Sequence, residues 1–156
     1  MLQLEIPDFA TLRMEHLVID YNGTLAIDGE LLPGVRERLT KAASQLAIHV
    51  VTGDTFGKAE SRLAGVPCEL FILPPLGQSE AKRAYVEKLG ASACVCIGNG
   101  RNDRLMLQAA GLAIVVVQRE CAWTEDLMAA KLVAIDVCDA LDLLLQPNRL
   151  VATLRG

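Results

Sequence analysis

The chain has 156 residues, a formal net charge of −4, and 52% hydrophobic but only 4% aromatic residues. This length suits one compact domain over residues 1–156, which buries roughly 68–70% of its unfolded surface. The charge offers no basic footprint for nucleic acid. The most apolar run, Ala109 to Val117, is far short of a membrane span, and Glu5 and Asp8 exclude a basic signal n-region. Five cysteines without a CxxC pair read as reduced, buried thiols, so the expected location is cytoplasmic.

In chain order, Leu2 to Ile6 reads as a short strand ended by Pro7. His16 to Ile19 reads as a buried strand leading into the turn Asp20–Tyr21–Asn22–Gly23–Thr24. Ala26 to Leu31 carries Asp28–Gly29, a hairpin signal. Pro33–Gly34 opens a helix to about Leu46, and Ile48 to Val51 is a strand ending at Thr52–Gly53–Asp54. A helix over Phe56 to Ala64 and a strand over Glu69 to Leu73 follow. Ser79 is expected to cap a helix running to Leu89, with Gly90 ending it. The remaining segments read as alternating strands and helices: Cys94 to Ile97, Asn102 to Ala110, Leu112 to Val117, Trp123 to Ala130, Leu132 to Ile135 and Asp136 to Leu145. This alternation predicts an α/β fold: a mostly parallel, Rossmann-like sheet with helices on both faces.

Ligands of open α/β sheets bind beyond the carboxyl ends of the strands. Asp20, Thr52 and the Asn99–Asp103 loop each follow a strand. Asp20 alone reads equally as a turn-forming aspartate or as a nucleophile or metal ligand. The Thr52 hydroxyl and the Gly53 N–H can hold a phosphate oxygen. Gly53 to Ala59 is one residue too short for a P-loop and lacks Ser or Thr after Lys58. Lys82, near a helix start, can offset charge between a carboxylate and a phosphoryl group, with Lys88 as its decoy. Gly98-Asn99-Gly100-Arg101-Asn102-Asp103 lacks the third glycine of a dinucleotide fingerprint, and its acid and amide oxygens suit a hard cation.

Together these pieces resemble the haloacid dehalogenase (HAD) superfamily of phosphohydrolases. Asp20-Tyr21-Asn22-Gly23-Thr24-Leu25 resembles its first motif, Asp-x-Asp-Gly-Thr-Leu. Val51-Thr52-Gly53-Asp54 resembles the second, Lys82 the third, and Gly98 to Asp103 the fourth, Gly-Asp-Gly-x-Asn-Asp. The second and fourth most resemble the phosphorylation domain of P-type ion pumps. The resemblance implies a HAD-type, capless domain and a phosphatase that forms an aspartyl phosphate on Asp20. It implies Mg²⁺ held by Asp20, the Asn22 carbonyl, and Asn99 or Asp103, with Thr52, Gly53 and Lys82 on the phosphoryl oxygens.

Two residues depart from the motifs. The usual general acid/base is Asn22, which relays no proton, so slow turnover is expected. Asn99 replaces an aspartate, so metal binding is expected to weaken unless nearby Asp54 compensates. The substrate implied is a phosphorylated small molecule or macromolecule, with no nucleic-acid or membrane partner. The second reading is a phosphate- or metal-binding regulatory module without turnover. Absence of a cap points to an open site or to a homo-oligomer that covers it, with the tail Asn148 to Leu154 as a contact or as plain packing. His49 reads as packed, Trp123 as a helix anchor, and Arg101 as a surface residue before a substrate contact, though it lies near the site in sequence.

Overall fold

The computed structural model describes residues 1–156. The chain opens with an antiparallel hairpin of β1 (Leu2–Ile6) and β2 (Ala10–Met14). It continues through β3 (His16–Ile19), the small hairpin β4 (Ala26–Ile27) and β5 (Glu30–Leu31), and α1 (Val35–Ala42). Next come β6 (Ala47–Thr52), α2 (Ala59–Leu63), β7 (Glu69–Ile72) and α3 (Gln78–Leu89). The last part comprises β8 (Cys94–Gly98), α4 (Arg104–Ala109), β9 (Leu112–Val116), α5 (Thr124–Ala129), β10 (Leu132–Ala134), α6 (Val137–Leu145) and α7 (Pro147–Leu154).

Six strands form one sheet in the order β10-β9-β8-β3-β6-β7, with every neighbouring pair parallel. After β3 the chain builds outward through β6 and β7, then returns to place β8 on the other side of β3. The strand order therefore reverses at the carboxyl end of β3, where open α/β sheets bind ligands.

Period-two alternation divides the core. Leu17 and Ile19 join Ile48, Val50, Val95 and Ile97 in the larger cluster, which also takes Val35 and Leu39 of α1 and Leu141 of α6. Val18 faces the other way, packing with Val51, Cys96, Val86 of α3 and Met106 of α4. Asp20 continues the parity of Val18, towards α3.

Several boundaries differ from expectation for physical reasons. The N-terminal strand is half of a hairpin; its partner at Ala10–Met14 turns back through Asp8, whose φ is 58°. The α2 helix starts three residues late because Asp54 Oδ1 accepts from the N–H groups of Lys58 and Ala59, both at 3.1 Å. Ser79 is not a cap: α3 begins at Gln78 behind Gly77, which has a left-handed backbone. Arg101–Asp103 form a 3₁₀ turn ahead of α4. Trp123 precedes α5 and remains half exposed, so it does not anchor that helix in the core. Of the five thiols only Cys94 and Cys96 are buried, and Cys121 is exposed. The tail packs on its own chain: Leu150 is fully buried, and Val151 and Leu154 lie against the larger core. No helix is long and apolar enough to cross a membrane.

Candidate active site

Ile19 lies opposite Val50 on one side and Ile97 on the other. The residues just beyond these points are Asp20, Thr52 and Asn99, so the sheet register itself brings three of the motifs to one edge. Asp20 prolongs the ladder, its N–H donating to Ile97 O at 3.0 Å.

Lys82 comes from α3, where Lys82 and Val86 are the two buried residues, one turn apart on the face that meets the sheet. An ammonium carried on that stripe is carried into the core. It donates to Asp20 Oδ1 at 2.5 Å and to Asp103 Oδ1 at 2.5 Å, and neither lysine nor Asp103 has any exposure. Lys88 points outward from the same helix. Two carboxylates holding one ammonium leave the triad one negative charge. Burial drives the Asp20 carboxyl up to about 7, opposed by Lys82 and reinforced by Asp103, while the two carboxylates raise Lys82 against the effect of its own burial.

Asp103, expected among the metal ligands, has both carboxylate oxygens hydrogen-bonded inside the protein, while Oδ1, which accepts only from Lys82, keeps a lone pair. Its Oδ2 takes the N–H groups of Asn99 and Gly100 at 2.9 Å each, closing the fourth-motif loop on itself. Asn99 accepts from Thr24 Oγ1 at 3.0 Å and donates to Cys121 O at 2.9 Å. The approach is so close that a Cβ on Gly23, whose φ is +81°, would fall 2.5 Å from the Asn99 amide nitrogen.

The Asn22 backbone carbonyl accepts no hydrogen bond, and its side-chain Oδ1 is buried without a partner. Thr52 is buried, and its Oγ1 accepts from Asp54 N at 3.0 Å, which leaves the hydroxyl proton free to point into the site. The Gly53 N–H has no protein acceptor. Asp54 Oδ1 caps the start of α2, while its Oδ2 accepts no hydrogen bond. No three His, Cys, Asp or Glu side chains converge in metal-ligating geometry.

Three residues at this edge escaped the sequence reading. Gln118, beyond β9, donates to Gly23 O at 3.1 Å and Thr24 O at 2.9 Å and accepts from Val137 N at 2.8 Å, tying the Asp20 loop to α6. Gln78 accepts from Asn102 Nδ2 at 3.0 Å. Asp126 of α5 is buried with both carboxyl oxygens unpartnered, and burial first, then the Asp103 charge, pushes its carboxyl up to about 7. Gln118 did carry a signal, since it is a polar residue shortly after a strand, as Asp20 and Asn99 are.

No protein-family model matches the chain. An uncharacterized protein of Methanocaldococcus jannaschii is 49% identical over 61 residues, which cover 39% of this chain and 66% of that protein, just under two thirds of its length. Among solved structures, the 3-deoxy-D-manno-octulosonate 8-phosphate phosphatase of Moraxella catarrhalis, in complex with magnesium, phosphate and KDO, superposes with a TM-score of 0.66 at 18% identity. That alignment covers 91% of this chain and 94% of the other. A structure assigned to the HAD hydrolase family from Streptomyces avermitilis superposes with a TM-score of 0.61 at 19% identity, covering 91% and 84%. This chain has the haloacid dehalogenase fold. Within that fold the carboxyl end of β3, where Asp20 stands, is the topological switch point of the sheet.

Proposed function

We propose that the protein is a single-domain, capless phosphohydrolase or phosphotransferase with Asp20 as nucleophile. The observation that carries this reading is the Lys82 ammonium, fully buried between Asp20 and Asp103. A lysine placed there serves no packing purpose that a methionine would not serve better. It supplies a fixed positive charge beside a carboxylate at the switch point of the sheet. The structural neighbours support the same chemistry, since one of them was crystallised with magnesium and phosphate.

In this reading an Asp20 carboxylate oxygen attacks phosphorus in line, and the bond to the leaving-group oxygen breaks with its electron pair. Lys82, the Thr52 hydroxyl and the Gly53 N–H hold the equatorial oxygens. Asn22 cannot donate a proton, so the leaving oxygen takes one from solvent. Water then attacks phosphorus, phosphate departs, and the carboxylate returns. Loss of general acid–base help typically costs about 10²–10⁴ in rate. The aspartyl phosphate is therefore long-lived, as the likeness to ion-pump phosphorylation domains implies.

The residues fit a hard cation. Asp20 keeps Oδ2 without a side-chain partner, the Asn22 carbonyl is free, and Asn99 Oδ1 has one lone pair to spare beyond Thr24. These three would hold Mg²⁺, completed by water, and the bound ion would neutralise charge on the transferring phosphoryl group. With one carboxylate in the set, affinity is weak. Asp103 acts in this scheme by fixing Lys82.

The buried, unpartnered Asn22 Oδ1 favours a second reading, a phosphate- or metal-binding module without turnover. One experiment separates them: Mg²⁺-dependent phosphate release from acetyl phosphate and p-nitrophenyl phosphate, beside Asp20→Asn. Release that needs both Mg²⁺ and Asp20, with a hydroxylamine-labile phosphoenzyme, establishes the enzyme. Release equal to the Asp20→Asn control leaves the binding module.

A further inference from the structure

We propose that the cavity beside the Lys82 triad receives the leaving group of a small phosphomonoester and that Arg101 holds a carboxylate on that group. This rests on the phosphohydrolase reading above and names its substrate class.

The cavity has a volume of about 470 Å³ and is bordered by Gly77, Gln78, Ser79, Arg101, Asn102 and Arg104. That volume suits a small molecule. Its wall is continuous with the phosphate edge. The Gln78 amide is bonded to Asn102, and it also lies against Gly53, where a Cβ would fall 2.5 Å from Gln78 Nε2. Gln78 thus stands between the phosphate-binding Gly53 and this space, and a leaving group that extends past Gln78 would enter it.

Two cations line the cavity. Arg104 is neutralised by Glu125. Arg101 has no ion pair. Its guanidinium carbon sits 5.9 Å from the centroid of the Trp123 ring, and the Trp123 backbone N–H donates to Asn99 O at 2.8 Å. The arginine is thus held on an aromatic plate that is itself fastened to the site loop, with its fork of donors unspent. A planar guanidinium pairs with a carboxylate through two parallel hydrogen bonds. A second phosphate fits less well, because Glu80 contributes a carboxylate to the same lining and a dianion would meet its repulsion.

The test uses matched substrates: 3-phosphoglycerate against glycerol 3-phosphate, and 6-phosphogluconate against glucose 6-phosphate. The wild-type protein is expected to favour the carboxylate member of each pair in kcat/KM. Arg101→Gln is expected to lower that preference about tenfold, the scale of a charged hydrogen-bond pair, with Arg101→Lys in between. A preference near one, or one that Arg101→Gln leaves intact, overturns the proposal.

Should none of the four substrates be hydrolysed, release from acetyl phosphate and p-nitrophenyl phosphate still decides the phosphohydrolase reading, and binding decides the subsite alone. Trp123 is the single tryptophan of the chain. Its fluorescence, titrated with 6-phosphogluconate and glucose 6-phosphate, reports the ring on which Arg101 rests. Tighter binding of 6-phosphogluconate that weakens about tenfold in Arg101→Gln supports the subsite. Equal binding of the two ligands, equal binding by the variant, or no response overturns it.

Discussion

Lys82 shows how one buried charge organises the site. Its ammonium is satisfied only because two carboxylates from different loops reach it at 2.5 Å. Lys82→Met would leave Asp20 and Asp103 facing each other without a counter-charge. Breaking a buried pair in this way costs about 3–5 kcal/mol, which urea unfolding at neutral pH should register. The loss should shrink as pH falls and the Asp20 carboxyl protonates. Asn22 poses the opposite question, since its amide stands where the related motif has an acid. Asn22→Asp is expected to raise Mg²⁺-dependent phosphate release by about 10²–10⁴, measured against wild type with the fold checked by circular dichroism. No gain in a folded variant would remove the proton-relay explanation for slow turnover.

Apart from Lys82 on α3 and Thr52 at the end of β6, the polar groups of the site lie on loops between strands and helices, and single side chains tie them together. Gln118 spans the Asp20 turn and the N-terminus of α6 with three hydrogen bonds. Gln118→Ala gives these up at roughly 1–3 kcal/mol in total. Because the two carbonyls it holds belong to Gly23 and Thr24, next to Asn22, the Mg²⁺ concentration for half-maximal phosphate release should also rise. A variant that loses stability with an unchanged Mg²⁺ dependence would make Gln118 a purely structural tie. The Thr24–Asn99 hydrogen bond does the corresponding work nearer β3, joining the first and fourth motif loops.

Stability of the molecule as a whole should depend on pH through its buried acids. Asp126 has no partner, and its carboxyl is raised from 3.8 to about 7. Between these values the unfolded chain has released a proton that the folded chain keeps, so unfolding is increasingly favoured as pH rises. The wild-type Tm should therefore fall from pH 5 to pH 8, with Asp20 contributing in the same direction. Asp126→Asn should flatten part of that slope and raise Tm at pH 8 by a few degrees, converging with wild type near pH 4, as differential scanning calorimetry would show. Parallel curves across the whole range would mean that Asp126 stays ionised in the folded protein.

Element order and type followed from local pattern. His16–Ile19, Cys94–Ile97 and Leu112–Val117 are apolar runs that only a buried strand accommodates, and the turn residues after them marked where polar groups would gather. The motif residues Asp20, Thr52 and Asn99 share an edge for the same reason, because every parallel strand ends on one side. Local pattern could not settle what depends on contacts between distant segments. The β2 strand became legible only through its pairing with β1. Asp103 reads as a metal ligand in the sequence, and the fold adds that its oxygens hold Lys82 and two backbone N–H groups. Asp54 reads as a spare carboxylate, and the fold adds that its Oδ1 caps α2. Gln118, Asp126 and the Arg101–Trp123 stack acquire meaning from neighbours that lie elsewhere in the chain. Periodicity is encoded residue by residue, so the sequence by itself determined the sheet and the edge on which the site stands. Hydrogen-bond saturation, burial and ion pairing are properties of the packed whole, so only the tertiary structure decided which of the polar side chains remain available for chemistry.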